Sequence, residues 1–187
     1  LVKTDLETIF TDRKVNIEDI LNQIRRIREL TAETTKVYEG VSGENAKLLD
    51  KEICTIIYDI ILGKEAVADI SQTKKFFAWL SLLNRDFSKE VFTTNYDLII
   101  EKSLEASQIP YFDGFVGSFE PFFWQESIDQ FVSKNDMTQN WIRLWKIHGS
   151  LSWFWKEDKI TKSQKIIRIG KIENINVNNL PCIVHFI

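Results

Sequence analysis

Glu90-Val91-Phe92-Thr93-Thr94-Asn95-Tyr96-Asp97 is the stretch on which the reading of the fold turns. Its first half is β-branched and aromatic, the composition of a short strand. Asn95 then breaks the run, and Leu98 to Leu104 is spaced as a helix. A strand, a tight turn and a helix are expected in that order. Downstream, Trp141 to Ile147 reads as a second strand, and Gly149 just beyond it should turn the chain sharply. Both strands therefore run out into polar residues, Thr93 to Asp97 in one case and His148 to Ser150 in the other.

Upstream of this region the chain reads as helices. Ile17, Ile20, Leu21, Ile24, Ile27 and Leu30 recur at three- and four-residue spacing, with Asn16 placed as a cap. A second helix is expected from about Glu44 to Leu62, burying Leu49, Ile53, Ile56, Ile57, Ile60 and Ile61 and ended by Gly63. A third runs from about Gln72 to Asn84 and carries Phe76, Phe77, Leu80 and Leu83.

Between the two motif strands, Pro110 to Ser133 is rich in Phe, Tyr, Trp and Gly and reads as partly irregular with one short helix. After them, Leu151 to Trp155 and Ile166 to Ile169 suggest a hairpin across a charged connection. Lys171 to Asn179 reads as a loop leading to a last strand at Cys182 to Phe186.

Strands that alternate with turns and helices favour an α/β fold, a Rossmann-like parallel sheet covered by helices on both faces, with a helical insertion or subdomain. We expect a single domain over 1–187, mainly helical over 16–84 and sheet-forming over 90–187. In open sheets of this type, ligands bind outside the carboxyl ends of the strands. The two polar clusters stand at such ends.

Bulk properties narrow the function classes. The net charge is −3 in 187 residues, so no basic excess exists to attract nucleic acid or anionic lipid. The two cysteines, Cys54 and Cys182, form no CxxC pair, which argues against a disulfide scaffold and a thiolate zinc site. No apolar run approaches the ~18 residues that span a bilayer, and the start lacks a signal-peptide layout. A cytoplasmic setting without metal, membrane or nucleic-acid partner is expected.

The clusters themselves admit two readings each. Thr94 followed by Asp97 is spaced as a capping box at a helix start. Equally, a carboxamide and a carboxylate at a strand end suit ribose hydroxyls and an amide-bearing leaving group, and free N–H groups at a helix start suit a phosphate. His148 is either a strand-end histidine satisfied by backbone or a general base, imidazole being able to accept a proton near neutral pH. His185, the other histidine, sits in an apolar terminal run. The many aromatics, Phe122 to Trp124 and Trp153 among them, read chiefly as core or interface.

The run Phe92-Thr93-Thr94-Asn95-Tyr96-Asp97 resembles the TTNYD motif of bacterial SIR2-like domains, the counterpart of TQNxD in sirtuins. Lys146-Ile147-His148-Gly149-Ser150 resembles their K-(hydrophobic)-HGS motif. Asp113-Gly114-Phe115 with Gly117 is similar to a DGF-x-G stretch often found between the two. The resemblance implies a domain that takes NAD as its substrate and breaks the bond between nicotinamide and ribose. Asn95 would then hold the nicotinamide ribose and the attacking water, Asp97 would contact the nicotinamide amide, and His148 would act as the base. Thr94, Tyr96, Gly149 and Ser150 would complete the NAD-binding loops.

Two departures from the family pattern matter. No Gly-rich pyrophosphate loop follows a strand, and the nearest approach, Gly40-Val41-Ser42-Gly43, lies between helices. Either the Gly-rich βα unit lies upstream of Leu1, as the non-Met start favours, or part of the NAD site has been lost; we therefore expect an incomplete domain lacking that unit. The four-cysteine zinc module of the deacetylating sirtuins is also missing, which favours NAD hydrolysis over deacetylation. The resemblance further implies a bacterial antiviral system that acts by NAD depletion, with homo-oligomers and a second defence-system protein or a phage-derived activator as partners. A catalytically silent nucleotide-sensing or assembly module, and an ADP-ribosyl transferase or cyclase, are the competing readings.

Overall fold

A computed structural model describes residues 16–84, 88–126, 141–157 and 164–170. The chain divides into two compact units, Leu1–Ile57 and Tyr58–Ile187.

In the first unit, helix α1 (Ile17–Thr31) starts as its sequence requires. Asn16 is extended, and its side chain accepts a hydrogen bond from the Asp19 N–H at 2.8 Å. Leu21, Ile24, Ile27 and Thr31 form its buried stripe, and the left-handed Ala32 ends it. A hairpin of β1 (Val37–Tyr38) and β2 (Val41–Ser42) follows, turned by Glu39 and Gly40, both at positive φ as such tight turns demand. Helix α2 (Gly43–Glu65) then packs Ala46, Leu49 and Ile53 against Ile20, Ile24 and Ile27. The buried Asp50 of α2 pairs with Arg28 and, at 3.4 Å, with Arg25.

Helix α2 corrects two expectations. Gly63 does not end the helix, which continues to Glu65. Ile56 and Ile60 are 57% and 59% exposed, whereas Ile53, Ile57 and Ile61 are half-buried. An isoleucine row at four-residue spacing covers one strip of a helix, and this sequence carries two adjacent rows, of which only one is sheltered.

The second unit is built on a parallel sheet in the order β3 (Lys89–Thr93), β7 (Ile142–Lys146), β4 (Tyr111–Phe112). Helix α4 (Ile99–Ala106) connects β3 to β4, and β7 enters between them, so β3-α4-β4 is a parallel crossover unit. Helix α3 (Ser71–Leu82) packs beside α4 on one face. There Phe77, Leu104 and Ile142 form a core, joined by Leu80, Val91, Ile100, Ile109 and Tyr111. The fold is α/β with a Rossmann-like parallel sheet, as expected.

Helices α3 and α4 lie on the face of this sheet that carries Val91 and Ile142. On the other face Phe92 is 65% exposed, beside Glu90, which pairs with Arg143 at 3.7 Å and accepts from the Trp145 indole. Phe76 also stands out in solvent at 51% exposure, while its neighbour Phe77 is the residue of α3 that enters the core.

A second, antiparallel sheet runs β5 (Phe115–Val116), β6 (Phe122–Phe123), β9 (Gln164–Arg168), β8 (Trp153–Glu157). The expected hairpin is its β8-β9 pair, with Trp153 opposite Arg168. Phe115, Trp153 and Ile166 form its core with Phe123 against them. The region expected to be irregular thus contributes three short strands between residues 111 and 123. The end of that region, the loop at 171–179 and the last strand at 182–186 lie outside the described residues.

Candidate active site

The parallel register pairs Thr93 with Lys146, the last residues of β3 and β7. Asn95 and His148 consequently lie two residues beyond the same rung of the ladder. The pairing continues past the strands, because the Ile147 N–H donates to the Thr93 carbonyl at 2.9 Å. Farther out, the Leu151 N–H donates to the Tyr96 carbonyl at 2.9 Å. The two polar loops are therefore joined by main chain at two points. The rings of Tyr96 and His148 lie 6.4 Å apart, tilted by 42°.

Within the first loop, the Thr93 hydroxyl accepts from the Asn95 N–H at 3.1 Å, and the Asp97 carboxylate accepts from the Ile99 N–H at 3.0 Å. Both are i→i+2 turn bonds; the helix N-cap is Leu98, which carries no side-chain cap, so the Thr94–Asp97 capping box that the spacing suggested is not formed. Glu65 adds a bond from outside the loop, accepting from the Leu98 N–H at 2.8 Å while its other oxygen pairs with Lys102. The amides of Leu98 and Ile99 are accordingly engaged within the protein, where free N–H groups had been expected at the start of α4. Thr94 and Asn95 are exposed, and Tyr96 and Asp97 are half-buried.

In the second loop, Gly149 has φ 95°, a left-handed conformation that a side chain disfavours, and its N–H donates to the Lys146 carbonyl at 3.2 Å. His148 is half-buried, whereas Gly149 and Ser150 are buried. The Ser150 hydroxyl lies 3.2 Å from that of Ser152 and shapes the turn into β8.

Beneath both loops is a group that sequence reasoning missed. The Lys146 side chain is only 1% exposed; its ammonium lies 2.9 Å from Glu101 Oε1 and also donates to the Asp97 carbonyl. Burial holds the Glu101 carboxyl above its usual range, opposed by Lys146 and reinforced by the nearby Asp113. A signal was present: Ile142, Leu144 and Lys146 alternate onto the buried face of one strand, and a lysine there needs an anionic partner.

Asp113 and Gly114 anchor the link between the two sheets. Gly114 has φ 87°, the Asp113 carboxylate accepts from the Phe115 N–H at 3.3 Å and pairs with Arg168, and Arg168 lies over the Phe115 ring at 5.5 Å. Among the described residues, no group of three or more His, Cys, Asp or Glu is placed to hold a metal ion, and no helix is long and apolar enough to cross a membrane.

The strands, the crossover helix and the paired polar loops form an α/β unit with two loops at the carboxyl ends of adjacent parallel strands. A family model described as "SIR2-like domain" matches residues 89–181, which span β3 to β9, and this part of the chain is a SIR2-like domain. The family is one of NAD-dependent enzymes. No curated protein matches the chain.

Proposed function

We propose that the protein is an NAD+ hydrolase that cleaves the nicotinamide–ribose bond to give nicotinamide and ADP-ribose. The observation that carries this reading is the register of β3 against β7, which sets Asn95 and His148 at the same step beyond two adjacent parallel strands. In the reaction, water attacks C1′ of the nicotinamide ribose, the C–N bond breaks, and nicotinamide leaves with the bonding electrons. His148 takes up the proton from that water or from a ribose hydroxyl. Asn95 orients the water and the ribose, and Asp97 engages the nicotinamide amide. Thr94, Tyr96, Gly149 and Ser150 complete the loops around the substrate. The oxocarbenium-like transition state requires a positioned leaving group and a base, and this set supplies both.

The setting we propose is bacterial antiviral defence through NAD depletion in the cytoplasm, with self-association and a second defence protein or phage-derived activator as controls. This part of the reading rests on the resemblance of the motifs to bacterial SIR2-like domains. A second reading, a silent nucleotide-sensing or assembly module, draws on the internal engagement of the Leu98 and Ile99 amides. Incubating full-length protein with NAD and measuring free nicotinamide separates the two, because the silent module releases none. Identification of the second product as ADP-ribose, a cyclic form or a modified protein then separates hydrolysis from cyclisation and ADP-ribosyl transfer.

A further inference from the structure

A buried lysine is an expensive way to fill space. A hydrocarbon side chain of similar volume would fill the end of β7 without taking an ammonium out of water. Lys146 does something that a hydrocarbon does not. It extends from the strand that carries His148 to the main chain of the turn that carries Asn95 and Asp97, donating to the Asp97 carbonyl. Its charge is balanced at 2.9 Å by Glu101, which lies one helical turn beyond Asp97 on α4. Turn carbonyl, ammonium, carboxylate and helix backbone thus close into one ring, with both charges deeply buried. Two main-chain bonds also tie these loops, from Ile147 to Thr93 and from Leu151 to Tyr96, and the Tyr96 and His148 rings lie near one another. Those bonds bracket the turn without holding Asp97 itself.

We propose that Lys146 and Glu101 are positioning residues: the ammonium clamps the Asp97 carbonyl and so fixes where the Asn95 and Asp97 side chains stand relative to His148. The kinetic consequence rests on the hydrolase reading, whereas the clamp is a property of the loops and stands apart from it. Lys146, buried beneath the turn, acts on the reaction through Asp97 and Asn95. Displacing such groups by about 1 Å is enough to cost roughly 10²-fold in rate.

The test compares full-length wild type with Lys146→Met, Glu101→Gln and the Glu101→Gln/Lys146→Met double variant, which removes both buried charges together. Two readouts are taken: nicotinamide release from NAD, and hydrogen exchange at the backbone amides of Ile99 and Leu151. For Lys146→Met and the double variant, kcat should fall by about 10- to 100-fold with KM within about threefold. In the same variants the Ile99 and Leu151 amides should exchange at least about tenfold faster while the Leu144 amide of β7 keeps its protection. Glu101→Gln retains the ammonium on the Asp97 carbonyl and should show a smaller change in both readouts.

Unchanged exchange at Ile99 and Leu151 in a folded variant without Lys146, or unchanged kcat, overturns the proposal. Failure of the double variant to fold assigns the pair to stability of the sheet and overturns it too. Where the wild type releases no nicotinamide, the hydrolase reading falls, and the exchange comparison alone decides the clamp.

Discussion

The carboxylate of Glu65, the last residue of α2, accepts a hydrogen bond from the backbone N–H of Leu98 at 2.8 Å, so the end of one helix caps the beginning of another. The Glu65 side chain is 1% exposed, and the Lys102 that pairs with it is 48% exposed. Removing the carboxylate leaves a donor at the start of α4 without its partner. Removing the lysine leaves the cap in place. Glu65→Ala should therefore lose about 1–3 kcal/mol of stability, and Lys102→Ala no more than about 0.5 kcal/mol, in urea unfolding. Equal losses would show that the ion pair, and not the cap, is what matters.

On the hydrolase reading, Asn95→Ala and His148→Ala should each reduce nicotinamide release by at least about 10²-fold, because that reading assigns each of them to the reacting atoms. The thermal midpoint should move by less than about 4 °C, since Asn95 is exposed and His148 half-buried. A variant that retained full NAD cleavage would remove its residue from the mechanism.

Two glycines should respond to alanine in opposite directions. A Cβ on Gly43 would meet Thr31 and the Thr34 backbone N and O, the last two at 2.8 Å, whereas a Cβ on Gly63 would meet nothing within 4 Å. Gly63 lies inside α2, where alanine is the better helix former. Gly63→Ala should stabilise by about 0.5–1 kcal/mol and Gly43→Ala should destabilise by about 1–3 kcal/mol, both read from chemical denaturation.

Hydrogen bonding to Lys47, together with Arg28 and against some desolvation, holds the Glu33 carboxyl below its ordinary value of 4.5. A carboxyl depressed in the folded state contributes stability that is present above its unfolded value and is lost as pH falls through the folded one. Between pH about 5 and 3 the wild type should therefore lose more thermal stability than Glu33→Gln, whose side chain does not titrate. Parallel melting curves for the two proteins across that range would contradict the assignment.

The parts of the fold governed by local rules were legible in the sequence. Asn16 capping α1, the β-branched run of β3, and the turn at Gly149 all follow from residue type within a few positions. The core-facing row of α2 was harder, because two adjacent isoleucine rows satisfy a helical period equally well and only tertiary packing selects between them. The same limit hid the charged group under the candidate site. Lys146, Glu101 and Glu65 come from three separate elements, and nothing in their spacing along the chain announces that they converge on one turn. Which strands neighbour one another was likewise beyond periodicity, although it decides that Asn95 and His148 end on adjacent loops.

The backbone ties from Ile147 to Thr93 and from Leu151 to Tyr96 use amide and carbonyl groups that nearly every amino acid carries. The scaffold of the two loops is thus insulated from the chemistry it displays. On the hydrolase reading, substitution at 95 or 148 leaves those ties in place, which gives this architecture room to diversify in what it transforms without first rebuilding how it folds.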